Sequence, residues 1–199
     1  MKIVELRASP TSFPLPPEAS VTLGIGRAVK RDAVVVKVTT DDGLVGWGEA
    51  HHGRAPGAVA HLVNTTPRQR PGRDERGGRV AARRVITILQ PDLSTTGGLT
   101  EGLRVAALAS AWKLSIHPHT SMTGLNMAAT IHFLAAIDNG GYFEADVSKG
   151  NLFRDRLTSA PYTLDTNGCV APPEKPGLGV EVDEDFLVEH PVIEGPAYV

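Results

Sequence analysis

Three polar side chains stand where short apolar runs of the second half of the chain end. Asp92 follows VITILQP, His119 follows LSIHP, and Glu144 lies within GYFEAD. In a parallel α/β barrel the ends of consecutive strands line one face, where the chemistry is done. A carboxylate accepting one imidazole N–H fixes the ring's tautomer and raises the basicity of its other nitrogen, so Asp92 with His119 reads as an oriented general base. Glu144, one strand further on, is placed to give a proton or hydrogen bond to a substrate carboxylate.

Each residue alone has a plainer reading. Asp92 in PDLSTTGG suits a turn or a helix cap. His117 and His119 could be ordinary hydrogen-bonded histidines, His132 sits in an apolar helix and reads as packing, and Glu144 by itself is a surface acid. Their recurrence at successive strand ends favours a site.

The elements that must hold these residues follow from periodicity. In the first half, KIVELRA (2–8), DAVVVKVTT (32–40) and LVGWGEA (44–50) read as strands, the last two joined by a hairpin at Asp41–Gly43. A proline-rich bend, FPLPP, follows the first, and PGAVAHLVNTT (56–66) reads as a helix opened by Pro56. In the second half, VITIL (85–89), LSIHPH (114–119) and GYFEADV (141–147) read as strands. They alternate with helices over 99–113, capped by Thr100 with an apolar face of Leu99, Leu103, Ala106, Ala107 and Ala111, and over 122–137. Strand alternating with helix is the rhythm of a parallel layer. The expected organisation is an α+β unit over 1–66, a junction over 67–84, a partial (β/α) barrel over 85–160, and a loop-dominated extension over 161–199 that packs back on the first unit.

Composition narrows the function classes. A net charge of −2 over 199 residues argues against a wholesale nucleic-acid binder. The single cysteine, Cys169, excludes an internal disulfide framework and a cysteine-rich zinc site, and fits a reducing cytoplasm. The N-terminus lacks the apolar core of a signal peptide, and no apolar run reaches the roughly 18 residues of a membrane helix. A soluble cytoplasmic protein without membrane contact is expected.

QPDLSTTGGLTE, the alanine-rich helix after it, SIHPHTSMTGLNMAA and GYFEADV resemble the last barrel strands of the mandelate racemase and muconate-lactonizing branch of the enolase superfamily. VVVKVTTDDGLVGWGEAHHG is similar to that branch's capping domain, and PGLGVEVDEDFL to its C-terminal segment. The resemblance covers about 1–66 and 85–199. It implies a fold of the α/β class, an α+β capping domain followed by an incomplete (β/α) barrel of the TIM type that holds only the last strands, six to eight. It implies proton abstraction alpha to the carboxylate of an acid sugar or hydroxy acid, in a dehydratase, racemase or cycloisomerase. In those terms His119 matches the catalytic histidine, Asp92 its orienting aspartate and Glu144 the enolate-stabilising glutamate. Such enzymes use Mg²⁺ on the ene-diolate. Two cap loops close over the substrate, here near Thr22–Arg31 and His51–Arg54, so that His51, His52 and Arg54 could meet a hydroxylated or anionic ligand. A polar loop that merely caps a helix is the alternative for these three.

What the resemblance lacks is as informative. A (β/α)₈ barrel needs about 250 residues, and 85–199 number 115. The family's lysine base and its three carboxylate metal ligands have no counterpart between Thr66 and Val85, so no metal ligands are assigned and Mg²⁺ is not expected to bind. Losing the metal removes several kcal/mol of transition-state stabilisation, so activity is expected to be weak or absent. Where those strands belong stands PRQRPGRDERGGRVAARR (67–84), with seven of the fourteen arginines. A polyanion-binding role for it is one alternative, but no aromatic residue lies there for base stacking. The Arg, Gly and Pro bias suits a disordered joint. Exposed barrel edges predict a homo-oligomer, and a non-catalytic oligomeric scaffold is the other alternative.

Overall fold

A computed structural model describes residues 2–65 and 86–199. The junction expected over 67–84 lies outside the described residues.

The first sheet has the order β1-β4-β5, with β1 at Ile3–Pro14, β4 at Lys30–Thr40 and β5 at Val45–Ala50, all antiparallel. β1 runs through Pro10 to Pro14 instead of bending after Ala8. It is an edge strand, where a missing N–H is tolerated. Gly43, at φ 86°, supplies the left-handed residue of the expected hairpin. A two-stranded ribbon, β2 (Thr22–Leu23) with β3 (Gly26–Arg27), precedes β4.

Alternation assigns the sheet two faces. Ala8 and Val34 pack on Ala60 of α1 (Pro56–Thr65), which begins at Pro56 as expected. Phe13, Ala33 and Val35 on the other face meet Leu125, Phe153, Leu157 and Phe186 from the second half of the chain. The C-terminal residues return to the same sheet. Tyr198 bridges Ala28, and Val29 N–H donates to Ala197 O at 2.9 Å.

The second half carries two short parallel strands, β6 (Ile88–Leu89) and β7 (Ser115–Ile116). The helices are α2 (Leu93–Thr96), α3 (Gly98–Ala111), α4 (Gly124–Ala135), α5 (Leu152–Asp155) and α6 (Glu184–Glu189). The fold is an α/β structure with no closed barrel among the described residues, as the incomplete-barrel reading expects.

Three local expectations are corrected. GYFEADV forms no strand. Gly140 alone bridges Ile116 in parallel, and the Glu144 carbonyl is taken by the Thr120 hydroxyl rather than by a neighbouring strand. Thr100 does not cap α3, because α2 ends on left-handed Gly97 (φ 106°) and α3 starts directly from it. The buried face of α3 is Gly102, Ala106 and Ala109, while Leu99, Leu103, Ala107 and Ala111 are exposed. Close approach explains this choice. A Cβ on Gly102 would lie 2.7 Å from Leu93 Cδ2 and 3.3 Å from Phe133 Cε2, so only the small-residue face fits.

Candidate functional site

Asp92 and His119 are brought together from the ends of β6 and β7. His119 Nδ1 lies 2.8 Å from Asp92 Oδ2. The other oxygen, Oδ1, accepts the Ser94 N–H at 2.8 Å and hydroxyl at 2.7 Å, so Asp92 is also the N-cap of α2. Asp92 therefore caps the helix with one oxygen and meets the imidazole with the other. Asn126 Nδ2 adds a third donor to Oδ1 at 3.2 Å.

The electrostatics match this geometry. Burial works to raise the Asp92 carboxyl, but the bonds from His119 and Ser94 outweigh it and hold the group below the usual carboxylate value. The Asp92 hydrogen bond raises the His119 pKa against partial desolvation, helped by the charges of Asp92, Glu144 and Asp146. With Nδ1 committed to Asp92, Nε2 takes no part in that contact, and the side chain is 46% exposed.

Glu144 joins the dyad through the backbone. Its Oε2 accepts the Thr120 N–H at 3.0 Å, and Thr120 follows His119 directly. Gly141 gives this loop its path, since a Cβ there would stand 2.1 Å from His117 Nε2.

The cap histidines hold their own turn. His51 Nδ1 accepts the Gly53 N–H and His52 Nδ1 the Arg54 N–H, each at 3.0 Å, and the two rings stack at 4.6 Å. Arg54 is exposed with φ 62°. Of the three, only His52 lines a cavity of about 220 Å³, together with Val21, Leu23, Lys30, Arg31 and Met122. Burial first, and then the charge of His51, push the His52 pKa down to about 4, so the ring is neutral at pH 7. Asp92, His119 and Glu144 are not among the residues lining this cavity, which opens between the cap ribbon and the loop that follows His119.

Sequence reasoning missed four residues here. Lys30 lies 3.2 Å from Asp32, both almost fully buried, and Asp32 Oδ2 has no partner. Arg31 ties the cap to the His119 loop, donating to Ser121 O at 3.1 Å and Ser148 Oγ at 2.7 Å. Asn126, 3% exposed inside an apolar helix, is the fourth. A buried polar residue within an apolar run was the signal for Asn126, and the alternation of β4 was the signal for Asp32.

No group of three or more His, Cys, Asp or Glu side chains that could hold a metal ion occurs among the described residues. The Asp92 carboxylate is engaged by Ser94 and His119, and that of Glu144 by the Thr120 N–H. A hard Mg²⁺ ion wants a near-octahedral oxygen set, and these residues do not provide one.

The sequence model of the family described as "Enolase C-terminal domain-like" matches residues 76–186, more than half of the chain. The chain belongs to the enolase superfamily. The match reaches back into the arginine-rich 67–84 segment. A D-galactonate dehydratase from Verminephrobacter eiseniae is 37% identical over 116 residues, covering 56% of this chain and 30% of the relative. The chain thus spans less than a third of the length of that relative. Among solved structures, an enolase-superfamily member from Polaromonas sp. JS666 aligns with a TM-score of 0.86 and 26% identity, over 100% of both chains. A mandelate racemase/muconate lactonizing enzyme from Jannaschia sp. CCS1 aligns over 100% of both chains with a TM-score of 0.71 and 16% identity, which supports the fold alone. No helix among the described residues is long and apolar enough to cross a membrane.

Proposed function

We propose that this enolase-superfamily chain binds a hydroxycarboxylate of the acid-sugar kind, with His119 as the base facing its α-carbon, Asp92 orienting His119, and Glu144 set beside them toward the substrate carboxylate. The single observation that carries this reading is the 2.8 Å contact between His119 Nδ1 and Asp92 Oδ2, which leaves Nε2 for the ligand. The D-galactonate dehydratase relative supports the ligand class. The cavity under the cap ribbon, which reaches the loop after His119 at Ser121 and Met122, adds polar side chains for a hydroxylated anion, with Arg31 and Lys30 supplying positive charge and neutral His52 a ring nitrogen.

Turnover is weak or absent in this reading. A family member draws its electrophile from Mg²⁺, which polarises the substrate carboxylate. The described residues offer no set to hold it. His119 then acts without the charge that stabilises an enolate, a deficit of several kcal/mol. Calorimetric titration with Mg²⁺ tests this point. Weak, non-stoichiometric heats are expected, and a tight stoichiometric site would overturn it.

A scaffold role has its own observation. Leu99, Leu103 and Leu108 of α3, Trp112 just past its end, and Ile88 of β6 are exposed apolar residues on the barrel fragment. Self-association through them is compatible with ligand binding at His119. The polyanion reading of 67–84 rests on residues outside those described.

A further inference from the structure

The cap strand β5 carries an acid on the wrong face for solvent. Glu49 pairs across from Val35, so alternation directs it, with Trp47, toward the barrel fragment and not toward α1. Its Oε2 accepts the hydroxyl of Thr123, and its Oε1 is buried without a partner. Thr123 is fully buried and caps α4, its Oγ1 accepting the N–H groups of Leu125 at 3.1 Å and Asn126 at 3.4 Å. Asn126 then donates from Nδ2 to Asp92 Oδ1. Two residues beyond Glu49, the His51 N–H donates to Ser94 O at 3.2 Å, on the helix that Asp92 caps. One end of β5 therefore holds Asp92 from two sides.

We propose that Glu49 is a positioning residue, which sets the aim of the Asp92–His119 pair through Thr123 and Asn126. It makes no hydrogen bond to His119, and acts by fixing the first turn of α4, from which Asn126 reaches Asp92. A carboxyl on a cap strand thereby couples the seating of the cap to the orientation of the base. An apolar residue at 49 would keep the packing and lose the coupling. Burial supports the arrangement. It pushes the Glu49 carboxyl up to about 8, against the Thr123 bond and with the Asp92 charge, so the side chain is predominantly neutral at pH 7 and places little charge beside Asp92.

This inference deepens the proposed role of His119, and its test reads the His119 ring in the ligand-free chain. A failure of ligand binding therefore leaves it standing, and its own failure leaves ligand binding untouched. The ¹H–¹⁵N spectrum of the imidazole is followed against pH in Glu49→Ala, Glu49→Gln and Thr123→Val. In Glu49→Ala the downfield Nδ1–H resonance of His119 is expected to weaken or vanish, with a lower ring pKa. Glu49→Gln, which keeps the size and a hydrogen-bonding end, is expected to restore both at neutral pH. Thr123→Val is expected to reproduce the loss, and it carries the test alone if Glu49→Ala does not fold. A folded Glu49→Ala or Thr123→Val chain whose His119 resonance and pKa match those of the unaltered protein overturns the proposal.

Discussion

Asp92 Oδ2 stands 2.8 Å from His119 Nδ1 while Asp92 Oδ1 caps the helix that begins at Leu93. One carboxylate thus fixes both a backbone turn and an imidazole tautomer. The imidazole is held by a side chain that also caps a helix, so the two contacts of Asp92 separate by substitution.

Asp92→Asn keeps a capping oxygen but loses the charge that favours imidazolium. The His119 pKa, held above its usual value, is expected to fall to or below that value, with stability reduced by less than about 1 kcal/mol. Asp92→Ala removes the cap as well and is expected to cost about 1–2 kcal/mol more. Imidazole NMR titration and denaturant unfolding measure the two effects.

The histidines are expected to titrate in opposite directions from their common starting value. His52, neutral by burial, protonates only near pH 4, while His119 protonates above its usual value. For His52 the folded pKa is depressed, so its contribution to stability is present above pH 6.5 and is lost as pH falls toward 4. For His119 the sign reverses, and its contribution is full below 6.5 and is lost as pH rises through its folded pKa. A His52 signal that titrates near neutral pH would contradict the burial of this ring.

Glu49 behaves as a buried acid whose folded pKa is raised. Between pH 4.5 and 8 the unfolded chain releases this proton and the folded chain keeps it. Stability from this group therefore declines across that window, by on the order of 4 kcal/mol. Glu49→Gln is expected to melt close to the unaltered protein at pH 4.5 and well above it at pH 8, read from paired thermal scans.

The barrel fragment exposes Leu99 and Leu103 on one face of α3, and Ile88 on the short strand β6. Concentration-dependent self-association is the expected consequence of that apolar face and strand edge. Gel filtration over a dilution series, with Leu103→Lys as the comparison, measures it. A stable monomer at all concentrations would remove the oligomer.

Much of this was legible in the sequence. β-branched runs and the Asp41–Gly43 turn specify the cap sheet, and Pro56 marks the start of α1, because those signals are local. The meeting of Asp92 with His119 was legible from strand-end position. The α3 face was not. Periodicity counts Leu99 and Leu103 as core, whereas the packed face is the one whose Gly102 and Ala106 let Leu93 and Phe133 come close. GYFEADV has strand composition, but a strand also needs a neighbour to share a ladder, and composition does not report one. Glu49 and Asn126 escaped notice because their partners lie 74 and 34 residues away in the chain.

The central claim, that His119 faces the ligand from an Asp92-held ring without help from a metal, is tested most directly by titrating D-galactonate into the chain while following the His119 imidazole by NMR, first without and then with saturating Mg²⁺. A saturable shift of the Nε2 resonance, the same in both series, is the predicted result. No shift at any concentration, or a shift that appears only with Mg²⁺, would contradict it.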